Sequence, residues 1–511
     1  MTLPSRSPGL ASPGVIATAN SQTAIGVEGE LVEVEARVSG REHGATIIVG
    51  LPDRAVTEAR ERVRAGVIAS ELWWPQGRVL VNLAPGNVPK LGPRHDLAMA
   101  VAILAASDQL PRARAGKVLV LGELAFDGRL RPVHGALIAA ETARRVGLEA
   151  LVCPLACAPE AALVTGLPVH GARHLTEVVA WLRGELDLPR AEPARGAVAA
   201  GGPDLADVRG QPLARRALEL AAVGGHNVLM IGPPGVGKTM LARRLPGLLP
   251  QLDEQTALEV TRVHSAAGVL RPGSGAIRRP PFRAPHHGAS APALVGGGAA
   301  PRPGEISLAS GGVLFLDELT EFSRSALEAL RQPLEDGELV VARAAGRVRF
   351  PARVQLVAAA NPCPCGGLGG CTCTNERVER YRARLSGPLV DRLDLVVRVD
   401  APDPEALSRD RPETTAVVAL RVAAARDWQT ARGQSIPNAR LELAELERLG
   451  IAPDARELLE RAATSQRLSA RRQVRVLRLA RSAADLAEAG GIAREHVGEA
   501  LALIPRGTAL G

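Results

Sequence analysis

Gly232-Pro-Pro-Gly-Val-Gly-Lys-Thr239 is the stretch that decides the fold, because it fits the pattern G-x-x-x-x-G-K-[ST]. An apolar run, Asn227-Val-Leu-Met-Ile231, precedes it and predicts a buried parallel strand, and Thr239-Met-Leu-Ala-Arg-Arg-Leu245 follows with a helical pattern. Glycines in such a loop allow successive backbone N–H groups to surround phosphate oxygens at the positive end of a helix. We therefore predict a phosphate-binding loop made of Gly232, Pro233, Pro234, Gly235, Val236, Gly237, Lys238 and Thr239.

The last two residues of this motif have separate predicted roles. Lys238 is expected to contact the β- and γ-phosphates of a nucleotide, and the Thr239 hydroxyl to bind Mg2+. The chain has only three lysines, at positions 90, 117 and 238, among 62 basic residues. An arginine does not easily replace the compact charge of an ammonium group, so a lysine at this position is consistent with nucleotide binding.

Gly311-Gly-Val-Leu-Phe-Leu-Asp-Glu318 predicts a second buried strand that ends in two carboxylates. A parallel strand in the same sheet would bring Asp317 beside the phosphate loop as a Mg2+ ligand. Glu318 is then placed to polarise an attacking water molecule. A plain helix cap is the alternative for these two carboxylates. Together, the two motifs predict an ATPase with ATP and Mg2+ as cofactors.

Length, charge and hydropathy limit the class of protein that this chain can belong to. A chain of 511 residues is long enough for about three domains. Its net charge of +8 favours anionic partners, with solvated arginine surfaces as the alternative. Residues 1–20 contain no apolar signal core, and the longest apolar run, Leu97 to Ala106, is far shorter than the roughly 18 residues that a membrane span needs. We expect a cytoplasmic protein without a membrane segment.

Composition and periodicity divide the chain into four parts. An N-terminal α/β domain is expected at 1–187, because strand and helix patterns alternate there. A linker rich in Gly, Pro and Ala is expected at 188–206, followed by an α/β ATPase core at 207–400. Beyond this core the pattern becomes wholly helical, which predicts a helical lid at 401–511.

The N-terminal region resembles the proteolytic domain of Lon, which has a ribosomal-protein-S5-like fold. The resemblance is carried by Gly92-Pro-Arg-His-Asp-Leu97 and by the stretch from Gly122 to Val133. Arg94 stands where that family has its serine nucleophile, and Leu137 stands roughly where it has its lysine base. A Ser–Lys mechanism needs a basic amine to take the hydroxyl proton. We therefore expect an S5-like, Lon-protease-like domain that is proteolytically inactive.

Nearly the whole chain, from about Thr23 to Leu503, resembles the YifB/ComM family of magnesium-chelatase-like AAA+ ATPases. The motifs that carry this resemblance are Val49-Gly-Leu-Pro-Asp53, Phe282-Arg-Ala-Pro-His-His287, Pro303-Gly-Glu-Ile-Ser-Leu308, Asn361-Pro-Cys-Pro-Cys-Gly366 and Ser386-Gly-Pro-Leu-Val-Asp-Arg392. The resemblance implies an AAA+ core within a homo-oligomeric ring, expected to be a hexamer, with DNA as a partner.

Single residues also receive roles from this resemblance. Asn361, at the end of the predicted strand 354–360, resembles the sensor that orients the hydrolytic water. Arg392 resembles an arginine finger that acts on ATP held by a neighbouring subunit. Arg471, in Ser469-Ala-Arg471, matches the second-sensor motif, and Arg475 is the alternative residue for this role. A third interpretation is that these arginines only form a solvated helix face.

Four cysteines within 11 residues form the pattern C-x-C-x5-C-x-C. They are Cys363, Cys365, Cys371 and Cys373. Thiolates are soft ligands that suit one tetrahedral ion in a compartment where thiols stay reduced. We predict a structural zinc site, with free thiols or a redox role as alternatives. His286 and His287 could also bind a metal, but a role in their loop is the favoured interpretation.

Two stretches contain no Asp or Glu. Val260 to Gly304 carries six arginines and three histidines, and Leu339 to Asn375 carries arginines in a hairpin-like pattern. Those of the second stretch are Arg343, Arg347, Arg349 and Arg353. Both stretches resemble the extra hairpins that line the central pore in this AAA+ clade. An arginine-lined pore suits a phosphate backbone, because neutralised phosphates release counterions. A solvated surface is the alternative.

Three functions follow from the sequence. The first is a hexameric ATPase that translocates on DNA and drives branch migration in recombination or natural transformation, as the family resemblance implies. The second is a chelatase motor subunit that powers Mg2+ insertion into a tetrapyrrole. The third is a remodeller that acts on something other than DNA and uses the N-terminal domain as an adaptor.

Overall fold

The computed structural model describes residues 15–39, 44–194, 202–271, 273–298, 301–343, 346–367, 371–385, 389 and 392–504. Part of the predicted linker, 195–201, and most of the segment 386–391 before Arg392 lie outside the described residues. Within the described ranges, no helix combines the length and the apolar character needed to cross a membrane.

The N-terminal part folds around a seven-stranded mixed sheet. Its strands are β1 (Ile16–Ile25), β2 (Glu28–Ser39), β3 (Thr46–Val49), β4 (Arg78–Ala84), β5 (Val118–Val120), β8 (Ala150–Pro154) and β9 (Val169–Ala172), with a separate pair β6 (Glu123–Leu124) and β7 (Leu130–Arg131). Its helices are α1 (Arg54–Ala69), α2 (Asp96–Ala106), α3 (Arg112–Ala115), α4 (Ala136–Arg145), α5 (Ala158–Ala161) and α6 (Leu175–Arg183). The strand order is β3-β4-β2-β1-β5-β8-β9, in which β1, β2 and β4 are antiparallel neighbours and the other pairs are parallel.

Helix α2 explains the longest apolar run of the sequence. All its residues are buried against the sheet, so the run forms a core helix. Its first residue, Asp96, is fully buried and accepts a hydrogen bond of 2.7 Å from Nε of Arg62 on α1. This charge-assisted bond partly compensates for taking both groups out of water.

Arg94 and Leu137 occupy the places of the nucleophile and base in the predicted Lon-like site. The Arg94 guanidinium donates to Oε1 of Gln22 at 3.1 Å, and burial lowers its pKa to about 10. Leu137 is buried on α4, where its backbone N–H donates to Glu160. A mixed α/β fold is confirmed for this region, and its assignment as an S5-like domain stays a prediction.

The central part is a five-stranded parallel sheet with additional short hairpins. Its strands are β10 (Val228–Ile231), β11 (Phe282–Arg283), β12 (Gly296–Gly297), β13 (Arg302–Pro303), β14 (Val313–Leu316), β15 (Glu338–Arg343), β16 (Gly346–Pro351), β17 (Gln355–Ala360) and β18 (Leu395–Arg398). Its helices are α7 (Pro212–Gly224), α8 (Lys238–Ala242), α9 (Leu245–Leu248), α10 (Glu254–Ala267), α11 (Ala291–Val295), α12 (Glu305–Leu308), α13 (Arg324–Ala329), α14 (Arg331–Asp336) and α15 (Asn375–Leu385). The sheet order is β11-β14-β17-β10-β18, so the strands that carry both predicted ATP motifs belong to one sheet.

The C-terminal part is helical in its described residues, as predicted. Its helices are α16 (Pro404–Arg409), α17 (Thr415–Ala431), α18 (Leu443–Arg448), α19 (Pro453–Ser465), α20 (Ala470–Leu486) and α21 (Arg494–Leu503). Helix α20 shares one hydrophobic core with α7 and with strands β10 and β18. Buried hydrogen bonds join the two parts, including one of 2.7 Å between His226 Nε2 and Ser482 Oγ. The domain boundaries at 187, 206 and 400 stay predictions.

The N-terminal part also packs on the central part. Val27, in the turn between β1 and β2, forms a small apolar cluster with Val263, Leu308, Val348 and Phe350. Phe350 has no exposed surface. Polar contacts continue this interface: an arginine of α10 bonds to a glutamate of α4 at 2.6 Å, and a serine of α10 to the buried Glu160 at 2.6 Å.

Candidate nucleotide-binding site

Three parallel strands end side by side at one edge of the central sheet. Ile231 of β10 lies opposite Ala360 of β17, and Leu316 of β14 lies opposite Ala358 of the same strand. The phosphate loop, the Asp317–Glu318 pair and Asn361 follow these strand ends directly. Ligands of open parallel sheets bind at the carboxyl ends of the strands, so this edge is the candidate site.

The phosphate loop needs glycine at several positions. Gly235 and Gly237 have φ angles of +82° and +95°, in the region that residues with a Cβ rarely adopt. At Gly232, a Cβ atom would lie 1.9 Å from the Val399 carbonyl oxygen, so a side chain cannot fit. Helix α8 starts at Lys238, which places its N-terminus at the loop. This arrangement is suited to binding an anion.

Lys238 is held inside the loop by three acceptors. Its Nζ donates to the carbonyl oxygens of Gly232 at 2.6 Å and Pro233 at 2.7 Å, and to Oδ1 of Asn361 at 3.1 Å. Burial lowers the pKa of its ammonium, and the carboxylates of Asp317 and Glu318 oppose this shift. The structure therefore brings the predicted phosphate ligand and the predicted sensor asparagine into direct contact.

Thr239 and Asp317 form the candidate Mg2+ site. The Thr239 hydroxyl donates to Oδ2 of Asp317 at 2.7 Å, although 78 positions separate the two residues. A hydroxyl and a carboxylate are oxygen donors of the kind that Mg2+ takes in nucleotide sites. These residues therefore fit the ion that the sequence predicts.

Glu318 lies at the open side of this site. It is exposed and adopts a left-handed backbone conformation with φ +52°, which is uncommon for a residue other than glycine. Its Oε2 lies 3.0 Å from Nδ1 of His287, whose ring lies 4.0 Å from that of His286. The sequence favours a loop role for His287 over metal binding, and the contact of this residue with Glu318 comes from the adjacency of β11 and β14.

The predicted arginine finger and second sensor lie near one carboxylate. Arg392 forms an ion pair with Glu335 at the end of α14 and lowers the pKa of that carboxyl, with smaller contributions from Arg331 and Arg471. Arg471 is exposed on α20, whereas Arg475 is buried with Nε 3.8 Å from Oδ1 of Asp394. The structure thus distinguishes an exposed from a buried candidate for the second sensor.

The four cysteines of the C-x-C-x5-C-x-C pattern converge in space. All four sulfur atoms lie within 4.8 Å of one another. The loop that carries them follows Asn361 and packs on the phosphate loop, because a Cβ atom at Gly366 would lie 2.9 Å from Cδ of Pro234. The arrangement is compatible with a bound metal ion at the rim of the nucleotide site.

The arginines of the acid-free stretches differ in pairing and in exposure. Three are paired with carboxylates from other parts of the chain: Arg262 with Glu141, Arg283 with Glu305 and Arg353 with Glu259. Arg353 is exposed despite its pair, and six further arginines are also exposed: Arg271, Arg278, Arg279, Arg302, Arg347 and Arg349. Arg349 lies 3.7 Å from Glu338. The side chain of Arg343 lies outside the described residues. Only part of the predicted cationic surface is therefore exposed.

Family models match three segments that together cover most of the chain. "Magnesium chelatase, subunit ChlI" matches residues 204–407, which contain the whole candidate site. "Subunit ChlI of Mg-chelatase" matches residues 34–156, and "Magnesium chelatase, subunit ChlI C-terminal" matches residues 412–503. The described helical region thus corresponds to the third model.

Relatives of similar length match nearly the whole chain. The chain is 44% identical to the competence protein ComM of Haemophilus influenzae, over 95% of this chain and 97% of that protein. It is 42% identical to the protein YifB of Escherichia coli, over 94% of this chain and 96% of that protein. The magnesium-chelatase 38 kDa subunit of Rhodobacter capsulatus is 32% identical over only 30% of this chain and 48% of that protein. The chain belongs to the YifB/ComM family of magnesium-chelatase-like AAA+ ATPases.

Proposed function

We propose that this protein forms a hexameric ring that hydrolyses ATP and translocates on DNA, driving branch migration during recombination or natural transformation. The observation that carries the ATPase part is the meeting of Lys238, Thr239, Asp317 and Glu318 at one sheet edge. These side chains come from two strand ends and supply the parts that phosphoryl transfer needs.

Each residue of the site has a role in this proposal. Lys238 and the loop N–H groups bind the phosphates, and Thr239 with Asp317 would hold Mg2+, which offsets phosphate charge when bound. Glu318 orients and polarises the attacking water, and Asn361 fixes its position. Arg392 of a neighbouring subunit and Arg471 of the lid stabilise charge on the γ-phosphate. The cysteine cluster holds a structural zinc ion.

DNA as the partner is supported by charge. The exposed arginines of the two acid-free stretches present cations without adjacent acids in sequence. Arg347, for example, points outward on β16, where Val348 and Phe350 point inward. Arginine contacts to phosphates give affinity without base specificity. The name of the relative ComM, a competence protein, is in line with this partner.

A chelatase motor subunit is the second candidate, and the descriptions of the three family models favour it. Against it, the match to the Rhodobacter chelatase subunit covers less than a third of this chain. The two candidates require different substrates: a DNA junction for the first, and a tetrapyrrole with Mg2+ and its partner subunits for the second.

One experiment separates these functions. The purified protein is incubated with ATP, Mg2+ and a fluorescently labelled three- or four-way DNA junction, and strand products are followed on native gels. We expect ATP-dependent branch migration, DNA-stimulated ATP hydrolysis, and junction binding that weakens steeply with added salt. The matched control is Glu318→Gln, which keeps the shape of the site and should bind ATP and DNA without turnover.

Two results would reject parts of the proposal. ATP hydrolysis that neither responds to DNA nor moves strands would leave an ATPase with another substrate, and the tetrapyrrole assay would then be decisive. A wild-type protein that neither binds nor hydrolyses ATP would remove the motor itself.

A further inference from the structure

The four cysteine thiols are already close to the positions that a tetrahedral ion requires. The sulfur of Cys365 lies 3.2 Å from that of Cys363 and 3.9 Å from that of Cys371. Zinc–sulfur bonds of about 2.3 Å in a tetrahedron place sulfur atoms about 3.8 Å apart. Cys363 is buried, whereas Cys365 and Cys371 are exposed, so an ion can reach the cluster from solvent. Small side-chain shifts suffice to bind one Zn2+.

The loop that carries these thiols is in contact with the phosphate loop. Gly366 is buried and has φ +81°, and its N–H donates to the Cys363 carbonyl at 3.0 Å in a tight turn. A Cβ atom on Gly366 would lie 2.9 Å from Cδ and 3.1 Å from Cγ of Pro234. The segment between β17 and α15, called the cysteine loop here, therefore contacts the phosphate loop where Gly366 meets Pro234.

Both ends of the cysteine loop lead to residues of the nucleotide site. Upstream, Asn361 contacts the Lys238 ammonium and stands two positions before Cys363. Downstream, α15 starts two positions after Cys373, and its Tyr381 hydroxyl accepts a hydrogen bond of 3.0 Å from Thr320. Thr320 follows Glu318 by two positions. The cysteine loop, together with α15, thus connects Asn361 with the segment that follows Glu318.

We propose that Zn2+ bound by the four cysteines fixes this loop and that ATP turnover depends on the metal. Between β17 and α15 the described residues contain no helix or strand, so their backbone has few ladder hydrogen bonds to hold it. A metal that crosslinks both halves of the loop supplies the missing constraint. The inference rests on the proposed ATPase function, because the metal acts by holding Asn361 beside Lys238 and Gly366 beside Pro234.

Metal content and turnover are measured on the full-length protein. We expect about one zinc per chain by elemental analysis, and less than about a tenth of that in the Cys371→Ser/Cys373→Ser variant, since two thiolates do not hold a structural zinc. Misplacing catalytic groups by about 1 Å costs up to about 100-fold in rate, so we expect kcat to fall at least about 10-fold in this variant. The control is Cys157→Ser, a buried thiol outside the cluster whose bonds to Val133 a hydroxyl can replace.

A second variant tests the coupling while all four thiols stay in place. Gly366→Ala pushes a methyl group against Pro234, so zinc content should stay at about one per chain while turnover falls at least about 10-fold. Gly367→Ala is the matched control: its φ is +72°, but its methyl group would face Pro362 and Cys363. It should affect turnover less than Gly366→Ala does.

In a last test, zinc is removed from the wild-type protein with a chelator and is then added back. Turnover that is lost and then restored excludes irreversible unfolding as the cause of the loss. Wild-type protein without zinc, or a zinc-free variant with wild-type turnover, would overturn the inference and leave the ATPase proposal intact. Wild-type protein that holds zinc but hydrolyses no ATP would instead reject the proposed function, and the metal-dependent turnover with it.

Discussion

Mixing two inactive variants tests whether Arg392 acts on the nucleotide of a neighbouring subunit. In its own chain, Arg392 pairs with Glu335, and its carbonyl accepts a hydrogen bond of 2.8 Å from Asn227. The residues that contact one another around the phosphate loop form a separate group, centred on Lys238. The two variants are Lys238→Ala, which destroys the loop half of a site, and Arg392→Ala, which destroys the finger half.

The expected rates of ATP hydrolysis follow from this division of each site into a loop half and a finger half. An arginine finger contributes about 10³- to 10⁵-fold to turnover, so each variant alone should be nearly inactive. In a closed ring, every interface joins one loop half to one finger half of the next subunit. When the variants are mixed in equal amounts and exchange subunits, about one quarter of the interfaces have both halves intact. Mixed rings should therefore recover up to about a quarter of the wild-type rate.

Steady-state ATP hydrolysis is the assay, and native mass spectrometry verifies that rings contain both variants. Glu335 is exposed, so loss of its pair with Arg392 should leave thermal stability nearly unchanged. As a control, Lys238→Ala is mixed with Glu318→Gln; both changes damage the loop half, and no interface regains activity. Mixed rings of the first pair that stay inactive would refute action across the subunit boundary.

Two further predictions concern stability. Phe350→Ala should lower the free energy of unfolding by about 3–5 kcal/mol, because Phe350 fills the apolar cluster with Val27, and it should make the chain between the N-terminal and central parts sensitive to limited proteolysis. Arg347→Ala on the same strand is the exposed control, and equal effects of the two variants would contradict this prediction. Arg62→Leu should lower the free energy of unfolding, measured with urea, by about 3–5 kcal/mol, because Asp96 stays buried without its ion-pair partner. Adding Asp96→Asn should restore part of this loss, and no recovery in the double variant would count against the ion-pair explanation.

The central sheet and its site could be predicted because their signals are local. Four apolar residues in succession, Val313–Leu316, form β14 inside the predicted stretch Gly311 to Glu318, and the glycine loop after β10 needed no distant partner to be recognised. Strand β1 gave no such signal. Its residues 20–23 are polar yet buried, and their partners come from other segments: Asn20 donates to the Gly116 carbonyl at 2.8 Å, and Ser21 bonds to His95 at 2.9 Å. A pattern of hydropathy does not contain these contacts.

Contacts between distant segments account for what sequence reasoning missed in the site. His287 reaches Glu318 only because β11 and β14 are neighbours, and Gly366 reaches Pro234 only because β17 lies beside β10. Each residue stood in a recognised motif, but a motif does not state which loop lies next to it. Short-range patterns therefore predicted the members of the candidate site, and strand order decided their contacts.

Absence of Asp and Glu in sequence does not leave arginines unpaired, because Arg283 and Arg262 obtain carboxylates from other segments. On β16 the alternation of side chains separates the two roles: Phe350 points to the buried cluster, and Arg347 points away from it. Burying the apolar face against Val27 fixes the direction of the arginine face, so contact with the N-terminal part determines where this hairpin presents its positive charge.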